Sequence, residues 1–427
     1  MMQVRGARFN QITAILVITT LAAFAGLASE LGRVLLKGSN YAYLTLHDWH
    51  YYAAMSIRLW ETPLAFSQEV AALKQDSSAS GFFTGLVNND FGPTGYYWSV
   101  ENGLSHQLPY AYRALAPSIT GLLNSLGLSI TIANLIIYLV GIILLANFAY
   151  LLIGRDFTIS RKPAIVASGA CIAALATLSP GYPDMLYLGL ATAAVWAASK
   201  QKIWLFIVFA LLATLARETG IFLVLVWIAY LWAARSVTLT RILPALVPLL
   251  ALMGIRLLVK VPNSSIDLEG MLDFVSWRFS PYIIFGVYSI ITIGLISPRI
   301  MRIAALRAEG RVAAVETFLW FVGVFVAFGG MLLATNTSRL ALLSLPLFLA
   351  GSGWIGAKSQ WWLGATLASA LGYTIADTLA NRSDAFFGQE PWKYAAILVI
   401  SLQLVALLSD RRRTFKRPLS DAPPNTG

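Results

Sequence analysis

A carboxylate set among aromatic rings is the first feature of this sequence able to do chemistry. His47-Asp48-Trp49-His50-Tyr51-Tyr52 presents Asp48 as a general base or a metal ligand. Asp48 also precedes a helical-looking run, 49–60, that its side chain could cap. His47 and His50 are three apart and would share a helix face, as metal ligands do, although histidines also settle in interfacial aromatic belts. Asp184 closes the tight turn Ser179-Pro180-Gly181-Tyr182-Pro183-Asp184. It either caps the next helix or supplies a second carboxylate facing Asp48. Two such groups could hold a divalent cation, Mg or Mn, or divide acid and base roles.

The cationic partners lie elsewhere in the chain. Arg217 and Glu218, within Leu215-Ala216-Arg217-Glu218-Thr219-Gly220, form either a structural ion pair or a phosphate grip in which Glu218 orients Arg217. Tyr112 and Arg113, within Pro109-Tyr110-Ala111-Tyr112-Arg113-Ala114-Leu115-Ala116-Pro117, suit stacking on a sugar or holding a phosphate. Arg339 follows Thr335-Asn336-Thr337-Ser338 and offers another guanidinium. Each of these is also suited to anchoring a helix at a membrane interface.

The elements that must position these groups are apolar helices. Of 427 residues, 58% are hydrophobic and 12% charged; a soluble domain carries about 25% charged residues. So few charges exclude an ordinary cytoplasmic enzyme, a disordered chain and a secreted disulfide scaffold. The single cysteine, Cys171, lies in an apolar run and is a packing residue. A bilayer core takes about 20 apolar residues per helix. Candidate spans are 12–35, 130–153, 164–180, 183–199, 202–217, 219–234, 241–260, 281–297, 313–334, 339–357, 361–380 and 393–409. The expected fold is therefore all-α and polytopic, with about 12 membrane helices, eleven to thirteen. Residues 1–409 form a single transmembrane domain, followed by a basic cytoplasmic tail, 410–427. The stretch 114–128, interrupted by Pro117, Gly121 and Gly127, is expected to be a juxtamembrane or re-entrant segment.

Charge orients this array. With the N-terminus inside, Arg5, Arg8, Arg155, Lys200, Lys202, Arg235, Arg241, Arg299, Arg311 and the run Arg411-Arg412-Arg413 fall on the cytoplasmic side, as the positive-inside rule requires. Most of the 20 acidic residues fall outside. The net charge of +11 is thus mostly topology, with anionic-lipid binding by the tail 411–417 as a lesser reading, and does not point to nucleic acid. The N-terminal apolar run resembles a signal peptide, but it continues to Leu36 and fits a retained first helix better. The long outer segments are 36–113, 261–280 and 381–392. No cytoplasmic domain and no phosphate-binding Walker loop is present. Gly351-Ser352-Gly353-Trp354-Ile355-Gly356 matches a dinucleotide fingerprint as text but lies in a span with no strand before it, where small residues serve helix packing. Chemistry is therefore expected on the outer face.

This pattern resembles the GT-C class of polytopic glycosyltransferases. The likeness rests on Asp48 in the first outer loop, on the stretch 109–117, on Tyr182-Pro183-Asp184 and on Ala216-Arg217-Glu218-Thr219, and it covers mainly residues 1–260. It implies juxtamembrane helices in the first outer loop, a polyprenyl-phosphate sugar donor and an outer-face active site. It also implies a base or metal role for Asp48 and, by extension, for Asp184. The paired-acid form of that loop is absent here, since His47 precedes Asp48. The expected partners are the lipid-linked donor, a glycan, lipid or protein acceptor, and membrane lipids, in a bacterial inner (plasma) membrane with both termini cytoplasmic. Arg217, Glu218, Tyr112, Arg113, Arg339 and His50 are the expected substrate contacts. A transporter or flippase for lipid-linked sugars is the alternative; it would place polar or broken helices near the bilayer midplane, whereas the charges are expected at the outer rim.

Overall fold

The computed structural model describes residues 113–128, 130–153 and 182–258, with scattered positions between 311 and 350 and residue 401. Among the described residues every regular element is helical and there is no strand. The candidate spans 12–35, 164–180, 281–297, 361–380 and nearly all of 393–409 lie outside them.

Helix α1, Leu115–Ser125, runs unbroken through Pro117 and Gly121. Pro117 is in the first turn, where the missing N–H has no helical partner to lose. Only Gly127 interrupts the stretch: it takes φ +95° and lets Gly127 N–H and Leu128 N–H donate to the carbonyls of Asn124 and Leu123. Helix α2, Ile130–Ile153, has the bounds expected from the sequence because nothing in its 24 residues is charged or breaks a helix. Within it, Ile132–Leu152 is, among the described residues, the one helix long and apolar enough to cross a bilayer. Thr120 Oγ1 donates to Asn134 Oδ1 at 2.9 Å, joining α1 to α2 as a hairpin.

Helix α3, Asp184–Ser199, starts directly after Pro183. Nearly all of its side chains are buried, and it packs against α2, against α4 (Ile203–Ala216) and against α5 (Leu223–Ala233). A short 3-10 turn, Glu218–Phe222, joins α4 to α5. After α5 come α6, Leu239–Ile242, a 3-10 link Leu243–Ala245 that holds Pro244, and α7, Leu246–Leu258, which packs on α4. The expected single span 241–260 is thus divided: Pro244 cannot donate the hydrogen bond that a continuous α-helix needs there.

Two glycines set how α2 and α3 cross. A Cβ on Gly141 would lie 2.7 Å from the Met185 backbone, and one on Gly189 would lie 2.6 Å from the Gly141 carbonyl oxygen. The backbones therefore touch at a point that only glycine permits, the close approach small residues give between apolar helices. Gly189→Val should destabilise the protein by about 1–3 kcal/mol or more, measured by thermal unfolding in detergent. Gly254→Ala is the control. A Cβ there meets nothing within 4 Å, so this change should leave stability equal or slightly raised.

The same crossing sets an offset. Met185 lies against Gly141, so α3 begins about 16 Å below the start of α2, taking about 1.5 Å per residue. The two helices run parallel, so the α3–α4 turn comes level with the last residues of α2, while the α4–α5 connection, beside the start of α3, turns well short of the α2 start.

Candidate functional site

Two ion pairs lie where α3 begins and α4 ends. Asp184 is the first residue of α3, with Pro183 in the cap position. It therefore sits in the first helical turn, where a negative charge suits the helix dipole, and not at the cap position. Arg217 follows the last residue of α4 with extended backbone angles, φ −160° and ψ 141°, and Glu218 opens the 3-10 turn. In extended backbone, successive side chains point to opposite sides, so Arg217 and Glu218 diverge. The Arg217 guanidinium pairs with the carboxylate of Asp184. Glu218 Oε2 accepts from Arg113 Nε at 3.2 Å.

Gly220 holds this turn in place. A Cβ there would come within 2.6 Å of Thr214 Cα, so the 3-10 turn folds directly back on the last turn of α4. Arg113 is brought in by α1, which packs against both α2 and α4.

Burial grades the four groups. Asp184 is fully buried and Arg217 is 2% exposed. The Arg113 side chain is 6% exposed and that of Glu218 20%, so the second pair is the one nearer the outside. Glu218 Oε1 is buried without a hydrogen-bond partner among the described residues. Taking a charge out of water is costly enough that removing one member of a buried pair typically costs about 3–5 kcal/mol.

The sequence reading linked Arg217 to Glu218 because they are neighbours. The structure instead joins each to a partner across the fold: Asp184 for Arg217, and Arg113, 105 residues away, for Glu218. Capping by Asp184 was one expectation and a carboxylate facing Asp48 the other. Its observed carboxylate partner is a guanidinium. A divalent cation at Asp184 would share its oxygens with Arg217. Among the described residues no group of three or more His, Cys, Asp or Glu could hold a metal. Asp48, His47, His50, Tyr112 and Arg339 lie outside the described residues. The Arg113–Glu218 pair carried no sequence signal, because its members belong to segments whose proximity depends on α1 folding back along α2.

Two arginines and two carboxylates at one helix junction can do three things. They can hold the junction rigid. They can exchange one internal partner for an external phosphate, since a guanidinium grips phosphate and carboxylate through the same paired hydrogen bonds. They can also offer Glu218 Oε1 to a donor group of a ligand. Comparison with protein-family models, with curated proteins and with solved structures gives no match.

Proposed function

We propose that the protein is a polytopic membrane glycosyltransferase with about 12 membrane helices. It transfers a sugar from a polyprenyl-phosphate donor to a glycan, lipid or protein acceptor on the outer face of the membrane. The observation that carries this reading is the cluster of Arg113, Glu218, Arg217 and Asp184 at the junction of apolar helices. Ionisable groups among membrane helices are expensive and mark substrate paths or functional sites. A buried ion pair is often no more stabilising than apolar residues in its place, so stability alone gives little reason to keep four charges here.

In this reading the donor phosphate takes the place of Glu218 on Arg113, the pair with the greater exposure. Asp184 positions Arg217, whose charge adds to the field on the phosphate. Asp48 accepts the proton of the acceptor hydroxyl as its oxygen attacks the anomeric carbon. The bond from that carbon to the phosphate oxygen breaks, the electron pair stays on the phosphate, and the arginines stabilise it.

Arg113→Lys tests the arrangement. Lysine keeps the charge but loses the paired geometry. One lost charge-assisted bond, about 1.5–3 kcal/mol, should raise the donor KM roughly ten- to a hundredfold. Wild-type donor KM in Arg113→Ala would remove this arginine from the site.

The transporter or flippase is the second reading, and one observation favours it. The helix break at Arg217 lies beside the start of α3, about 16 Å along α2 from its first residue. Broken helices carrying charge beneath the membrane surface are a transporter feature. Movement of a lipid-linked sugar across vesicles, with no sugar transferred to any acceptor, would establish that reading over the first.

A further inference from the structure

The opposite ends of the same helices carry a different kind of charge. The α3–α4 turn and the segment after α5 meet there: Gln201 Oε1 accepts from Ser236 Oγ and from Arg241 Nη1, each at 3.4 Å. Trp227 Nε1 donates to the Arg241 carbonyl at 2.7 Å and fixes that segment against α5. Lys202 Nζ stands 4.8 Å from the centre of the Trp196 ring. The Arg311 guanidinium stands 5.3 Å from the Trp232 ring, which brings a distant part of the chain to the same end.

Lys200, Lys202, Arg235, Arg241 and Arg311 are therefore gathered at this end. The acidic residues among the described ones, Asp184 and Glu218, are at the other end of α4, about 21 Å away at 1.5 Å per residue. Beside the basic end, Trp204 is 79% exposed, with Trp232 also exposed.

The backbone gives a further sign. Gln201 and Arg235 both take φ +54° just past a helix end, with Lys202 N–H and Ser236 N–H donating back to Ala197 and Leu231. Glycine is the residue such a cap favours. Arg235 instead keeps a cation at this point. One cation per helix end would be accounted for by the helix dipole. Paired Lys–Trp and Arg–Trp contacts with an exposed tryptophan beside them go further: cations with amphipathic rings suit the headgroup layer of a bilayer.

We propose that this end, built on 196–204, 232–241 and Arg311, is a binding surface for the anionic phospholipid headgroups of the leaflet it faces. The inference rests on the chain spanning a membrane and not on glycosyl transfer. Each basic residue near an anionic surface strengthens association roughly fivefold. The test uses the full-length protein in vesicles and measures quenching of tryptophan fluorescence by brominated lipids. Brominated phosphatidylglycerol should bind roughly tenfold or more tightly than brominated phosphatidylcholine, and the preference should fall as salt is raised. In Lys202→Gln/Arg235→Gln/Arg241→Gln it should be lost, while Lys202→Arg/Arg235→Lys/Arg241→Lys should retain it. Equal quenching by the two lipids in the wild type, or a preference unchanged in the glutamine variant, overturns the proposal. The wild-type salt series decides the matter even if a variant fails to fold. A protein stripped from vesicles by alkaline carbonate would overturn the membrane reading and this proposal together; one that stays integral without lipid preference overturns this proposal alone.

Discussion

Asp184→Ala is expected to lower stability by about 3–5 kcal/mol, the usual consequence of removing one partner from a buried ion pair. Asp184 is fully buried and Arg217 nearly so, and the variant leaves the guanidinium without the carboxylate it faces. The combined variant Asp184→Ala/Arg217→Ala removes both charges and should regain most of the lost stability. Activity separates the roles. If Arg217 serves the donor phosphate, the combined variant remains folded and inactive. Unfolding in detergent, followed by helical signal, measures the first effect. A single variant as stable as the wild type would show that Arg217 does not depend on Asp184.

The second large effect belongs to Asp48. Asp48→Asn retains much of the capping ability of aspartate but cannot accept a proton. A general base contributes about 10²–10⁴ in rate, so kcat should fall by roughly that factor in a protein that expresses and melts normally. Loss of a cap alone would change stability by about 0.5–2 kcal/mol and leave kcat close to the wild type. The two outcomes differ in kind, and steady-state turnover with purified protein distinguishes them.

The parts of this structure legible in the sequence are those set by local rules. The α2 bounds follow from 24 residues without charge or proline, and α3 begins directly after Pro183. Charge-bearing junctions were legible too: Asp184, Arg217, Glu218 and Arg113 were all singled out, and they form two ion pairs. Their pairing was not legible. Arg217 and Glu218 are adjacent, but the extended backbone at Arg217 turns them apart. Their partners arrive through helix crossings that spacing does not encode. The offset of α3 along α2 depends on the Gly141–Gly189 contact. Pro117 and Gly121 suggested a broken segment, whereas a proline in the first turn and a buried glycine leave α1 continuous.

Purified protein in lipid, offered either a soluble nucleotide sugar or a polyprenyl-phosphate sugar together with candidate acceptors, tests the central claim most directly. The arginine cluster and the helices around it suit a donor whose phosphate reaches the junction from the bilayer. Sugar should therefore pass to an acceptor from the lipid-phosphate donor, with release of polyprenyl phosphate, and the nucleotide sugar should be inert. Turnover of the nucleotide sugar alone would contradict the account.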